Sequence, residues 1–488
     1  MIQVIINDKQ FDIEESLKFS FKAKNPFLAN AELPGTLVYQ VNGSISDNNR
    51  IITDYADQLG NINRKLKFEN VVIKIGGLVW KTGVFILRSA GEGGYSFSFS
   101  ADAGDAKTKI ENLKLTDLPL ETGVTVDDQS TDYYPTAKHV FFPVYNPDYY
   151  GNKNTDYTGY MNYFHNGSFG TNATLNQHTK VPFIYAMHVF LACFNLMEYE
   201  LEGDILTDED ANRMVLFNTT SLDEINGSGL NTMKATFDYA DHLPDVGIAN
   251  FIIDTCIAWG VTPLFNSKKR AVKLVSTEAH FNDYTAKDFN AKVSSGNTIT
   301  PNDYQGVTFI MKGDSRDKAL EENADWLEFE QGAGKEVFAT DFSTLQVALM
   351  EDTINTKNWT VPNVLQAGNS PAFELNNKQK SLRFLYFTGV KEDSATNNYP
   401  QGHYQGVDVN LRWEGFTGLV EKRYKAWLAY KATTENVDFE LNITLEDLLN
   451  FSFENKLMAY YKRFIVAEYS ASVGNEGISP MLINGQTF

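Results

Sequence analysis

Positive charge is scarce beside negative in this chain: 42 Lys and Arg stand against 62 Asp and Glu in 488 residues, a net charge of −20. A surface of that sign repels phosphate backbones and anionic headgroups, so gripping DNA or an acidic membrane is not expected. An acidic wall would still let a polyanion slide past without holding it. Cysteine is nearly absent: Cys193 and Cys256 lie in separate apolar segments, with neither metal-ligand spacing nor a redox pair, and read as two buried free thiols. No apolar run reaches the ~18 residues of a membrane helix, so a soluble chain without a membrane span is expected. The first residues, MIQVIINDKQFDIE, lack a basic patch followed by an apolar stretch, so general export is not expected either.

Catalytic signatures are missing as well. HExxH, GxSxG, CxxC and an Asp-rich calcium loop do not occur, which removes the local evidence for a zinc peptidase, serine esterase, zinc ribbon or EF-hand. Gly332-Ala333-Gly334-Lys335 lacks both the first Gly of a phosphate loop and the hydroxyl after Lys335 that magnesium would need, so it reads as a turn. The seven histidines are scattered, and His188 sits near apolar helical positions where packing explains it. Asp204, Asp208, Glu209 and Asp210, or Glu321 and Glu322, could in principle supply paired carboxylates for glycoside hydrolysis. Adjacency in sequence does not oppose two carboxylates across a sugar, and 62 acidic residues make such clusters by chance. No enzyme activity, cofactor or metal is expected.

What the chain has in quantity is aromatic residues, 34 Phe, 24 Tyr and 6 Trp, which suit strands and large contacts. Its length predicts roughly three domains, with two to four reasonable. The fold class is α+β, β-rich and multidomain. Residues 1–112 read as an antiparallel β-domain with hairpins at Asn7-Asp8 and Gly76-Gly77, and Tyr95, Phe97 and Phe99 alternate with serines as on a sheet with one buried face. Asp47-Asn48-Asn49 reads as a turn.

Residues 113–180 form a connecting arm rich in Tyr and Asn, without helical or strand period from Asp127 on. Such a stretch serves a partner contact or a binding site. Its candidate interface residues are Tyr149, Tyr150, Tyr157, Tyr160, Tyr163 and Phe164: stacked on sugars in one reading, in an intersubunit contact in the favoured one.

Residues 181–292 contain two Pro-led helix–strand units. One opens at Pro182 with Ile184, Met187, Phe190, Leu191 and Phe194 on one face; the other opens at Pro244 with Ile248, Phe251, Ile252 and Trp259, and ends at a Gly260 cap. Residues 293–488 return to strands: Val307–Met311, then Ser381–Tyr386 ended by Gly389, with Asp317–Leu327 a short helix between them. A helix follows Gly418 with Val420, Tyr424, Trp427 and Leu428 on its apolar face; Trp427 completes the candidate interface set, in a core or a subunit seam. Thr444 with Asp447 makes a capping box, and Phe464–Tyr469 closes the chain as a strand.

The segments LPGTLVYQVNGSISDNNRIITDYADQLG, SLRFLYFTGV, LRWEGFTGLVEKRYKAWLAYK and FELNITLEDLLNFSFENKL follow one another in an order that resembles the tail and baseplate-hub proteins of phages and prophages of Bacteroidetes-type bacteria. The resemblance spans nearly the whole chain and rests on order, without an invariant chemical signature. It implies tube-like antiparallel β-barrel or sheet domains repeated within one subunit, and a homotrimer ringing a channel at the distal tail. The implied partners are tail-tube and other tail or baseplate proteins, with DNA passing but not specifically bound. It implies a virion protein made in the host cytoplasm, without catalysis. A carbohydrate-binding or carbohydrate-active protein using the aromatic arm is the alternative, and a fibre adaptor or neck component a further one.

Overall fold

The computed structural model describes the chain except for residues 1, 15–17, 29–36, 62–65, 128–129, 150–156, 158, 166, 170–178, 226–230, 315–316, 322–325, 353–356, 366–380, 393–397 and 475–476. Strand β1 (Ile2–Ile6) turns through Asn7 and Asp8, both at positive φ, into β2 (Lys9–Phe11). Two consecutive left-handed residues make the turn whose twist matches the strands it joins. Strands β3 (Phe19–Lys24) and β4 (Leu37–Gly43) follow, then α1 (Asp47–Ile52), β5 (Lys67–Ile75), β6 (Leu78–Gly91) and β7 (Gly94–Ala101). The sheet order is β2-β1-β5-β6-β7-β4. Tyr95, Phe97 and Phe99 all point into the core, as the alternation predicts.

Asn48 and Asn49, read as a turn, lie instead in α1, where Ser46 accepts the Asn49 amide as N-cap. Asn49 is fully buried and works as a staple: its side chain accepts the Asp12 amide at 2.8 Å and donates to the Asp12 and Ser44 carbonyls at 2.7 and 2.9 Å. Arg50 pairs with Asp57, which also accepts the Tyr95 hydroxyl.

The central region holds α2 (Ala186–Leu196) and α3 (Ile248–Trp259), packed through Phe190 on Trp259 and Phe251. Both helices start later than their prolines suggest. Pro182 leads into a strand, Phe183–Tyr185, so Ile184 pairs with Leu216 in a sheet rather than lying on a helix face. An unbroken apolar run does not distinguish a buried strand from a buried helix. Gly260 does end α3, at φ +63, and a Cβ there would sit 2.5 Å from the Arg423 side chain. The strands that follow the helices, Glu200–Glu202, Val261–Asn266 and Ala271–Ser276, share one sheet.

Strand β8 (Val293–Thr300) and β9 (Asn436–Leu441) are antiparallel partners, and the chain between them forms an inserted body that packs on the central region. That body contains Gly306–Met311, Leu382–Glu392 and a helix that begins with one π-turn, Val420–Tyr424, and continues as α4 (Lys425–Thr433). Gly389 does not end its strand. It sits inside it at φ +84, where the pairing register shifts. After β9 come α5 (Leu445–Leu449), β10 (Lys456–Ala459), β11 (Lys462–Gly474) and β12 (Met481–Thr487). Both bonds of the Thr444–Asp447 capping box form.

The first and last segments repeat one plan. Strand order β5-β6-β7-β4 in one sheet matches β10-β11-β12-β9 in the other, with a capped helix leading from β4 to β5 and from β9 to β10. The long strands also bulge at nearly matching places, between Leu87 and Ser89 and between Val466 and Glu468. The two units are not separate domains: a single buried cluster runs from Val4, Phe85 and Phe97 to Phe439, Phe464 and Ile483. Strand β3 bridges them by leaving its own unit to pair with β11 over Glu468–Val473.

Packing therefore crosses the expected boundaries at 112, 180 and 292. A second core joins the central helices to the body inserted between β8 and β9, and a third lies under the sheet containing Phe183–Tyr185. The class is α+β and β-rich. Among the described residues no helix is long and apolar enough to cross a membrane.

Candidate assembly surface

The arm is built into the molecule rather than hung from it. Val144–Tyr145 and Tyr160–Met161 pair with each other, and Tyr145 pairs with Asn363. Tyr149 is fully buried and donates its hydroxyl to the Thr219 carbonyl at 2.9 Å; the half-buried Tyr157 donates to the Asn146 carbonyl at 3.0 Å. Tyr160 and Tyr163 pack on Trp359 with centroids 5.0 and 5.8 Å away, and Phe164 packs on Phe169 at 5.0 Å. Trp427 is buried on α4 with the Lys431 ammonium 5.2 Å above its ring. Tyr150 lies outside the described residues. None of the arm's described aromatics is fully exposed, and Tyr149, Tyr160, Tyr163 and Phe164 are buried in the fold.

Three of the acidic candidates are engaged within the fold, while Asp204 is exposed. Asp208 caps a short helix, and Asp210 accepts three successive backbone amides from Val407, Asp408 and Val409. Glu209 pairs with Arg213. Glu322 lies outside the described residues. Among the described residues no group of three or more His, Cys, Asp or Glu side chains is placed to hold a metal ion. Cys193 and Cys256 are buried free thiols whose pKa burial pushes up, so neither offers a thiolate.

Buried titratable groups do occur, each tied to packing. Burial lowers His139 to about 4, His280 to about 3 and His403 to about 4. His280 stacks on Phe27 at 3.7 Å, and His139 touches the Tyr239 hydroxyl at 3.0 Å. Burial raises Asp254 on α3 to about 7, against the Asp341 amide that it accepts. Arg383 lies buried between Asp314 and Asp317, at 2.5 and 2.8 Å. These arrangements lock elements together, and none opposes a nucleophile to a base.

Exposed large apolar side chains occur on the two β-units, and also on the inserted body at Leu349 and Phe416. The end of α1 exposes Ile51, and the chain after it exposes Tyr55 and, fully, Leu59, where the second unit has only a short link from α5 to β10. Between the units and the strand Val261–Asn266 lies a cleft of about 460 Å³. Lys24, Lys81, Lys268, Lys269 and Lys273 line it against Asp102, Glu202 and Glu454. Sequence reading missed this surface because it looked for chemistry in aromatic and acidic clusters. The usable signal was the pairing of Ser46 with Thr444 as helix caps, each between a strand and a hairpin.

No protein-family model matches the chain, and no curated protein matches its sequence. Solved structures do resemble it. The 43 kDa tail protein of prophage MuSo2 from Shewanella oneidensis aligns over 100% of this chain and 97% of its own, at 7% identity and a TM-score of 0.36. A tail protein from Neisseria meningitidis MC58 aligns over 99% and 95%, at 8% identity and 0.40. A prophage tail protein from Listeria monocytogenes EGD-e aligns over 99% and 94%, at 7% identity and 0.36. Scores this low carry no inference.

Proposed function

We propose that the chain is a structural protein of a phage tail, a hub that rings the tail channel and joins the tube to tip or fibre proteins. The observation that supports this reading is the duplicated β-unit: two sheets of one plan share a core within one subunit. Three copies would then present six similar units to a sixfold tube, which makes a homotrimer the fitting assembly. The role is mechanical: the ring holds the channel and lets DNA or protein pass, and an acidic wall leaves phosphates unbound. The net charge of −20 is then expected on the face that lines the channel.

Antibodies raised against the chain should label the distal end of the tail in assembled particles. Labelling of the capsid, or of free protein only, would overturn the assignment. Glycan-array binding by the purified protein would instead favour a carbohydrate role.

A further inference from the structure

We infer that the cleft between the two β-units and the strand Val261–Asn266 is a docking site for an extended acidic peptide segment of another tail protein. Lysines hold the carboxylates of that segment, and an aromatic floor seats one apolar side chain between them. The inference rests on the tail reading above for the source of the partner. The chemistry of the cleft stands without it.

Charge is the first argument. Five lysines, Lys24, Lys81, Lys268, Lys269 and Lys273, line this one cleft against three carboxylates, in a chain whose net charge is −20. Lys81 pairs with Asp102 and Lys273 with Glu454, so those four neutralise one another. Lys24, Lys268 and Lys269 are all exposed and have no carboxylate partner among the described residues; against them stands only Glu202. A positive cleft in an otherwise acidic surface draws in a carboxylate-rich partner and disfavours a basic one.

The cleft is also held in shape. Asp102, at φ +56, pairs with Lys81 and accepts the Ser267 amide at 3.1 Å, which pins the turn carrying Lys268 and Lys269 to the first β-unit. A left-handed aspartate costs energy that its neighbours offset, and here it fixes where two lysines stand. Below them, Phe451 and Phe453 pack on Tyr469 with centroids 4.5 and 5.4 Å away, and Trp80 lies 5.2 Å from Phe21. Trp80 and Tyr469 are buried and Phe451 and Phe453 half-buried, so the floor suits one apolar side chain better than a row of stacked bases. Among the described residues no arginine lines the cleft, although the guanidinium fork is the side chain that grips phosphate in two bonds. The rest of the surface repels a long polyanion, whereas a short acidic segment meets mainly the lysines. At about 460 Å³ the cleft has the volume of an ordinary ligand site.

The test uses the full-length protein and a fluorescein-labelled peptide with a pair of glutamates on each side of a leucine. Its anisotropy should rise saturably with added protein and fall back as salt is raised, while the glutamine version of the peptide should not respond. Lys24→Gln/Lys268→Gln/Lys269→Gln should bind about tenfold more weakly with an unchanged Tm. Lys9→Gln/Lys335→Gln/Lys391→Gln, which removes the same charge at exposed sites outside the cleft, should bind as the wild type does. No saturable binding, no loss in the cleft variant, an equal loss in the two variants, or tighter binding of a single-stranded oligonucleotide of equal charge would each overturn the acidic-peptide site. Any of these leaves the tail reading standing, since antibody labelling of the particle tests that by itself.

Discussion

Asp254→Asn separates a packing carboxyl from a merely surface one. Asp254 sits on α3 with its side chain buried; Oδ1 accepts the Asp341 amide at 3.0 Å and Oδ2 has no hydrogen-bond partner among the described residues. Burial is the main force raising its pKa from 3.8 to about 7; the Asp341 charge adds to it, and the Asp341 amide and Lys312 oppose it. A raised carboxyl binds its proton in the folded state after the unfolded chain has lost it. Stability from this group is therefore intact below the unfolded pKa and is lost as pH rises, until the folded group ionises near 7. About three units at ~1.4 kcal/mol each give an upper bound of ~4 kcal/mol, of which roughly 2 kcal/mol falls between pH 5.5 and 8. The assay is the urea midpoint of wild type and Asp254→Asn across that range. Only their difference counts, since buried histidines tilt both proteins alike. The variant should gain on wild type by roughly 2 kcal/mol from pH 5.5 to 8 and level off above. A difference that is flat with pH would refute the buried, proton-carrying Asp254.

Three further outcomes follow from single sites. His139, His280 and His403 have folded pKa values held below 6.5 by burial, so the stability they carry is complete above pH 6.5 and is lost as pH falls towards 4; thermal melts should show a steep acid decline that His280→Phe reduces. Asn49→Ala removes three buried hydrogen bonds that tie α1 to the chain at Asp12 and Ser44, which should cost about 3 kcal/mol and speed amide exchange in β1 and β4; surface-like exchange in the wild type would contradict it. Arg383→Met strands two buried carboxylates and should cost about 3–5 kcal/mol by urea unfolding, much of it recovered by adding Asp314→Asn and Asp317→Asn.

Legibility in the sequence followed the range of the interaction. The Tyr95, Phe97, Phe99 alternation, the Thr444–Asp447 box and the Gly260 cap are local devices, and each forms where the residues put it. Turns were legible when glycine or asparagine marked them. The matching hairpin between β10 and β11 turns on Tyr460 and Tyr461, both at positive φ, which no turn preference announces. Ile184 went to a strand because a wholly apolar segment takes its form from what packs on it. The arm's tyrosines gave no period because several answer to distant partners, Tyr149 to Thr219 and Tyr160 to Trp359. The duplication was hidden for a similar reason: β3 finds β11 across most of the chain, and the body between β8 and β9 separates a pair that is adjacent in the sheet.

Sedimentation velocity of the purified full-length protein, followed by electron microscopy of the main species, bears on the duplicated β-unit most directly. The account predicts one closed species of about three times the 54.9 kDa chain mass, seen end-on as a ring with six similar β-lobes around a channel. A monomer, or a two-fold dimer without a channel, would contradict it.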